Sequence, residues 1–204
     1  MTGWRQVLLG VGLAAGIARA SVAQEPPFVP DRPGFTESTD IVPRGFLQFE
    51  AGFSYERDGQ PPDQVTRTTA PASLLRMGLS TRVELRLATD GWLSERQRGQ
   101  RSSGAADVDI GLKVRLLNQD RAGVDVAIIP LVSLPTGTEA FSSGGTDPTL
   151  EVMWARELPA RLGLSGNVNV SSLSDGADRF VQRALSLSLG KDLAPGWSGV
   201  LEVY

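Results

Sequence analysis

The sequence predicts an all-β protein, an antiparallel up-and-down transmembrane β-barrel with about nine visible strands and about ten to twelve when complete. Three observations predict this class: strands in which apolar and polar residues alternate, an N-terminal segment typical of an export signal, and connections that are short and long in turn. Residues 107–117 alternate most clearly, with apolar side chains at the even positions and Asp, Gly, Lys or Arg at the odd ones up to 115. Successive side chains of a strand point to opposite faces, so this strand has one apolar and one charged face.

Residues 1–23 are predicted to be a cleaved export signal. Arg5 is the only charge before an apolar run at 7–17, which is too short to span a bilayer, and small residues at 21–23 form the preferred cleavage site. A buried N-terminal helix is the alternative, but the polar, Pro-rich residues that follow give it nothing to pack against. The rest of the chain then divides into a periplasmic lead-in or plug segment at 24–44 and a barrel at 45–204.

Cysteine and histidine are both absent from the sequence. Without Cys there is no disulfide, thiolate metal site or lipid anchor, and without His the usual general base and the imidazole metal ligands are missing. We therefore predict no catalytic residue, no metal site and no cofactor, in a protein that is not an enzyme. The net charge of −3 argues against nucleic acid as a partner, because nucleic-acid binding needs a basic surface.

The strands are predicted from the same alternation, taken in order along the chain. It is regular in the first strand, whose odd positions are apolar, and least regular where Ile129 shares a face with Asp125. The predicted strands are residues 46–56, 74–79, 83–90, 107–117, 124–134, 149–155, 162–170, 181–189 and 198–204. An odd number of strands leaves an edge without a partner, so we expect the C-terminal strands of the barrel to be missing beyond Tyr204.

The connections alternate in length. The short ones are residues 80–82, 118–123, 159–161 and 191–197, and the long ones are 57–67, 93–104, 136–147 and 171–179. Outer-membrane barrels have short periplasmic turns and long external loops, so the long connections are expected outside the cell. Four aromatic residues near strand ends are expected at the bilayer interfaces, namely Trp92, Phe141, Trp154 and Trp197.

The charged faces of the strands are expected to face the lumen. Turning the four charges of residues 107–117 toward hydrocarbon would cost on the order of 10 kcal/mol, comparable to the stability of a whole domain. The lumen-facing candidates are Glu50, Arg76, Glu84, Arg86, Asp107, Asp109, Lys113, Arg115 and Glu151. An antiparallel order places Glu84 and Arg86 across from Arg115 and Lys113 and predicts cross-strand ion pairs, whose role is structural rather than solute selection.

The segment before the first strand is a candidate plug. Residues 31–38 contain Arg32 and Phe35, and in one interpretation the segment folds into the lumen with Arg32 against an acidic wall of Glu50, Asp107 and Asp109. In the other interpretation the segment is an ordered periplasmic lead-in.

Several short motifs, taken together, resemble one family. They lie at residues 31–38, 45–53, 75–80, 82–86, 134–137 and 142–148. In this order they resemble the outer-membrane proteins grouped as the "putative MetA-pathway of phenol degradation" family. The resemblance implies an outer-membrane β-barrel associated with uptake of hydrophobic or aromatic compounds, and it implies no particular solute-binding residues.

These observations favour a monomeric passive transporter or pore in the outer membrane, with outer-membrane lipid around it and small, in part aromatic, molecules as solutes. Two alternatives stay open. One is a structural or adhesion barrel with a closed lumen. The other is a soluble periplasmic β-sandwich that binds a ligand, since such a sandwich also alternates apolar and polar residues.

Overall fold

The computed structural model describes residues 9–16, 29–31, 35–176, 178–194 and 197–204. They form one antiparallel sheet of twelve strands in the order β1-β2-β3-β4-β7-β8-β9-β10-β11-β12, and the hairpin β5–β6 joins the sheet beside β3. The strands are β1 Leu9–Gly16, β2 Leu47–Asp58, β3 Val65–Gly78, β4 Val83–Thr89, β5 Trp92–Gln97, β6 Gln100–Ala105, β7 Val108–Leu117, β8 Asp125–Leu134, β9 Asp147–Leu158, β10 Leu162–Asp175, β11 Asp178–Ala194 and β12 Trp197–Val203. Helical structure in the described part of the chain amounts to α1 (Gln119–Ala122) and a 3-10 turn at Pro159–Arg161.

The prediction of an all-β antiparallel fold is confirmed. Within the described ranges β1 and β12 are the two edges of the sheet and do not pair with each other, so closure into a barrel stays a prediction. Strand β1 lies inside the predicted export signal and pairs with β2. The predicted cleavage site at 21–23 falls outside the described residues. No helix in the part of the chain described by the structure is long and apolar enough to cross a membrane.

Two of the four predicted long loops, 93–104 and 171–179, are wrong, because the structure has strands there, and a third, 57–67, is shorter than predicted. Residues 93–104 form most of the hairpin β5–β6, whose turn at Arg98 and Gly99 has positive φ angles of 49° and 80°. Both central residues of such a turn need positive φ, which matches the twist of the paired strands. Strand β3 begins at Val65, within the predicted loop 57–67, and β10 and β11 fill most of 171–179.

The short connections at 80–82, 118–123 and 159–161 agree with the structure, whereas β11 continues to Ala194, into the predicted turn 191–197. Of the four aromatic residues, Trp92 and Trp197 begin β5 and β12 and are exposed, while Trp154 lies within β9 against Gly166 of β10. Their placement at a bilayer interface stays a prediction.

The two faces of the sheet are inverted relative to a water-soluble protein. Along β2, Phe49 is 45% exposed whereas Glu50 is 1% exposed; along β7, Leu112 is 41% exposed whereas Lys113 is buried. The apolar face therefore lies on the outside and the charged face is covered. The buried apolar cluster is small and lies on the covered face, where Ala127, Ile129 and Met153 pack with Leu131.

Candidate functional site: a buried charge cluster and an adjoining cavity

Six charged side chains meet on the covered face of β2, β3, β4 and β7. This charge cluster consists of Asp31, Glu50, Arg76, Glu84, Arg86 and Lys113, and all six residues are buried. Arg76 and Arg86 are directly opposite each other on β3 and β4, an arrangement that repels. Glu84 offsets the repulsion, because its Oε1 accepts hydrogen bonds from Arg76 Nε at 2.8 Å and from Arg86 Nη1 at 3.0 Å. Three carboxylates and three cations make the cluster neutral overall.

Asp31 enters the cluster from outside the sheet. It belongs to the lead-in segment, a name used from here on for the described residues 29–31 and 35–46. Its Oδ2 lies 2.7 Å from Arg86 Nη1, 2.8 Å from Lys113 Nζ and 3.2 Å from Arg76 Nη1. Burial by itself would raise the pKa of Asp31, but Lys113, Arg76 and Arg86 outweigh burial and hold this pKa well below its usual range. Asp31 is therefore a fixed negative charge that joins three strands.

Backbone groups of the lead-in segment complete the hydrogen bonding of the cluster. Arg76 donates to the carbonyl oxygens of Val29 at 3.0 Å and Asp40 at 2.9 Å. Lys113 Nζ donates to the carbonyl oxygen of Ser38 at 2.8 Å. Charged side chains are buried at acceptable cost only when their donors and acceptors are paired, so the cluster and the segment depend on each other.

The lead-in segment also contacts the far end of the sheet. The carboxylate of Glu202 on β12 accepts hydrogen bonds from the backbone N–H groups of Phe35 at 3.1 Å and Thr36 at 2.5 Å. The ring of Phe35 stacks on Tyr204, with centroids 3.7 Å apart. These contacts hold the segment against β12 as well as against β2, β3, β4 and β7.

Contacts at both ends require the sheet to curve. The Asp31 N–H donates to Glu50 on β2, and the Thr36 N–H donates to Glu202 on β12. Five residues of chain span at most about 18 Å. Along the strand order β2 and β12 are eight steps apart, about 38 Å in a flat sheet at about 4.8 Å per step. The segment is thus much shorter than the flat distance between β2 and β12. The side chains of Glu50 and Glu202 cannot make up the difference, because both point away from the plane of the sheet. The sheet therefore wraps around the lead-in segment.

A cavity of about 750 Å³ lies beside the segment on the covered face, and a smaller one of about 360 Å³ adjoins it. Asp109, Leu131, Glu151 and Asn169 line both cavities. Glu37 reaches the larger cavity from the lead-in segment, and its Oε1 accepts a hydrogen bond from Arg86 Nη2 at 2.9 Å. Burial raises the pKa of Glu37 and the charge of Asp31 adds to this, while Arg86 acts in the opposite direction without offsetting it.

The structure brings five of the predicted lumen-facing residues together, namely Glu50, Arg76, Glu84, Arg86 and Lys113. Asp109 and Glu151 line the cavities. The remaining two lie elsewhere. Asp107 accepts hydrogen bonds from the N–H groups of Gly137 at 2.8 Å and Ser143 at 3.1 Å, so it fixes a loop. Arg115 pairs with Asp40 at 3.3 Å at the edge of the cluster. That these residues face the lumen of a barrel stays a prediction.

The predicted cross-strand pairs are wrong by two residues. Glu84 lies opposite Lys113, and Arg86 lies opposite Gly111. The acidic wall that the plug interpretation places against Arg32 stays a prediction. At Asp31, by contrast, the segment supplies a carboxylate that meets Arg76, Arg86 and Lys113. Arg32 lies outside the described residues, and Phe35 contacts Tyr204.

Asp31, Glu37 and Glu202 were not predicted as site residues. The charges of the lumen-facing candidates next to the segment could have indicated Asp31. On β2, β3, β4 and β7 two carboxylates face three cations, namely Glu50 and Glu84 against Arg76, Arg86 and Lys113. A buried wall with this excess of positive charge needs a further anion. No comparable signal marks Glu37 or Glu202.

The opposite pKa shifts of Asp31 and Glu37 predict that the lead-in segment stays docked in mild acid. The contribution of Asp31, whose pKa is lowered, is complete above the usual carboxyl pKa of about 4 and is lost only as the pH falls through its lower folded-state pKa. The contribution of Glu37, whose pKa is raised, is complete below its usual value and is lost as the pH rises through its folded-state pKa.

Hydrogen–deuterium exchange of the Ser38 amide, which donates to Asp31, measures this docking. We expect its protection factor, corrected for the intrinsic exchange rate, to hold between about pH 7 and about pH 4.5. Loss of protection with a midpoint above about pH 4 would contradict the prediction.

The fold and the site define a class: an antiparallel β-sheet protein whose charged face is covered by its own lead-in segment and whose apolar face is exposed. The family described as "Putative MetA-pathway of phenol degradation" matches residues 30–204, and the chain belongs to this family. The resemblance seen in the sequence motifs is thereby confirmed. No curated protein and no solved structure matches the chain.

Proposed function

We propose that the protein is an outer-membrane β-barrel through which small molecules, aromatic ones among them, pass by passive diffusion. The observation that supports this most strongly is the inversion of the two faces. A sheet that covers Glu84 and Lys113 and exposes Phe49, Leu112 and Leu187 has the pattern of a protein solvated by hydrocarbon. An exposed apolar surface of this kind marks contact with a membrane or with another protein.

The soluble β-sandwich is disfavoured by the topology. A sandwich needs a second sheet packed on the apolar face of the first. Over the described ranges the strands belong to one sheet, and the lead-in segment lies on the charged face instead. The curvature of the sheet around that segment supports a barrel, in which hydrocarbon covers the apolar face.

The cavity beside the charge cluster is the reason for proposing that solutes pass through the protein. The family description names phenol degradation, which fits an outer-membrane step in the handling of aromatic compounds. A passive route needs only a polar path lined by the inner faces of the strands. The lead-in segment, anchored by Asp31, is then a plug that narrows this path.

A second candidate function is a structural barrel with a closed interior. The charge cluster favours it, because six buried charges and the docked segment fill the covered face beside β2, β3, β4 and β7. Paired buried charges fix a structure without selecting a solute.

Reconstitution separates the candidates. We expect the purified protein to require detergent or lipid to stay monomeric, and liposomes that contain it to swell in isotonic phenol-like solutes. Swelling is measured against protein-free liposomes and with a sugar as comparison solute. No flux of any solute supports the closed barrel, and folded monomers that stay dissolved without detergent would support the periplasmic sandwich.

A further inference from the structure

Three buried acceptor atoms in the larger cavity receive no hydrogen bond from any residue that the structure describes. They are Glu37 Oε2, Glu151 Oε2 and Asn169 Oδ1. All three residues line this cavity. Glu151 and Asn169 are directly opposite each other on β9 and β10, and a buried acceptor of this kind is expensive to leave without a donor.

Glu37 belongs to the lead-in segment and lies at the same cavity as Glu151 and Asn169. In the side-chain amide orientation that satisfies both polar atoms of Asn167, the oxygen of this amide accepts a hydrogen bond from the backbone N–H of Glu37 at 2.9 Å. Asn167 precedes Asn169 by two residues on β10 and therefore projects from the same face. Acceptors from the segment and from two strands thus converge on one cavity, although they lie far apart in the sequence.

The charge around these acceptors is negative. Seven carboxylate side chains and two guanidinium groups line the larger cavity. Both guanidinium groups are already engaged, since Arg67 pairs with Glu95 at 2.6 Å and Arg86 pairs with Asp31 at 2.7 Å. The ammonium group of Lys113 is engaged as well, because it pairs with Asp31 at 2.8 Å and lies 4.0 Å from Glu37 Oε2, beyond hydrogen-bond distance. A concave surface with one dominant sign of charge concentrates counter-ions of the opposite sign, so the missing donor is expected to be a cation.

Two features indicate that this cation is organic. Among the described residues no group of three or more Asp or Glu side chains is placed to hold a metal ion. The cavity is also lined by apolar side chains, including Phe53, Leu93 and Leu131. A volume of about 750 Å³ with apolar walls and a few convergent acceptors suits a small organic molecule.

We propose that this cavity binds small organic cations, with an ammonium group donating to Glu37, Glu151 and Asn169 and an apolar body against the cavity wall. The proposal rests on the proposed function, because it names the solute class that the path prefers. An ammonium group supplies three donors, one for each of the three acceptors. Rings of acidic side chains favour cations over anions in membrane pores by the same physics.

The test measures binding of n-butylammonium to the full chain in detergent micelles by titration calorimetry, with butyrate as the anion of matched size. We expect butylammonium to bind and butyrate not to bind. Replacement of Glu151 by Gln, which keeps the shape of the side chain and removes its charge, is expected to weaken butylammonium about tenfold. Asn169→Ala gives a second variant in case Glu151→Gln does not fold.

Glu157→Gln is the matched control, because Glu157 lies on the same strand but is exposed and outside the cavity lining. Equal binding of the two probes, or unchanged binding in both Glu151→Gln and Asn169→Ala, would overturn the proposal. Binding in micelles does not depend on transport, so retained binding without flux in liposomes overturns the proposed function and leaves the cation site intact.

Discussion

Replacement of Asp31 by Asn is expected to lower the free energy of unfolding by about 3–5 kcal/mol, the usual cost of removing one partner from a buried ion pair. Asp31 is 4% exposed and its Oδ2 contacts Arg76, Arg86 and Lys113. Asn keeps the size of the side chain but removes the charge, so the cluster is left with three cations and two carboxylates. Arg76 and Lys113 are buried outside the cavity lining, so their excess positive charge stays in the covered part of the sheet.

The same substitution is expected to release the lead-in segment. Asp31 Oδ1 accepts hydrogen bonds from the N–H and Oγ of Ser38 at 3.0 and 2.8 Å, so its carboxylate also fixes the bend of the segment. Urea titration in detergent micelles, followed by far-ultraviolet circular dichroism, measures the loss of stability. Deuterium uptake at residues 35–42 measures the release.

Asp40→Asn is the matched control, because it makes the same chemical change in the same segment. Asp40 is exposed and pairs with Arg115 at 3.3 Å at the edge of the cluster. Exposed ion pairs contribute little, so a loss of about 0.5 kcal/mol is expected. Equal losses in the two variants would show that the buried position of Asp31 has no special importance.

Strands with one apolar and one charged face were predictable from the sequence, and β4 and β7 are the clearest cases. The signal has a physical limit, because alternation arises only where the two faces of a strand meet different surroundings. The hairpin β5–β6 is exposed or half-buried over most of its length, and after Trp92 and Leu93 most of its residues are polar on both faces. Its turn uses Arg98-Gly99 in place of the more familiar Asn-Gly or Asp-Gly, which removed the second signal.

The members of the charge cluster on the strands were predictable as well, since cost assigns Arg76, Glu84 and Lys113 to one face. Which residues face each other across two strands was not predictable, because a register shift of two residues keeps every side chain on its own face and leaves the alternation unchanged. Asp31 was missed for a different reason. It lies in a segment without periodicity, and only the folded chain brings it into contact with Arg86, which follows it by 55 residues in the sequence.

Replacement of Leu112 by Arg is expected to be strongly destabilising if hydrocarbon covers the apolar face. Leu112 lies in the middle of β7 and is 41% exposed. An arginine that faces lipid at the bilayer midplane costs about 2–4 kcal/mol. In a water-soluble protein the same change, at a side chain already in contact with water, would stay within about 0.5 kcal/mol.

Depth in the membrane provides the control. Leu116 lies on the same face of β7, close to the end of the strand, and is 49% exposed. Leu116→Arg is therefore expected to cost no more than about 1 kcal/mol, because an arginine near the interface reaches the head groups. Urea titrations of both variants in phospholipid vesicles give the two free energies. A gap of about 2 kcal/mol between them requires a medium whose polarity changes along the strand. Water does not change in this way, so two small and equal losses would place the apolar face in water and remove the barrel from consideration.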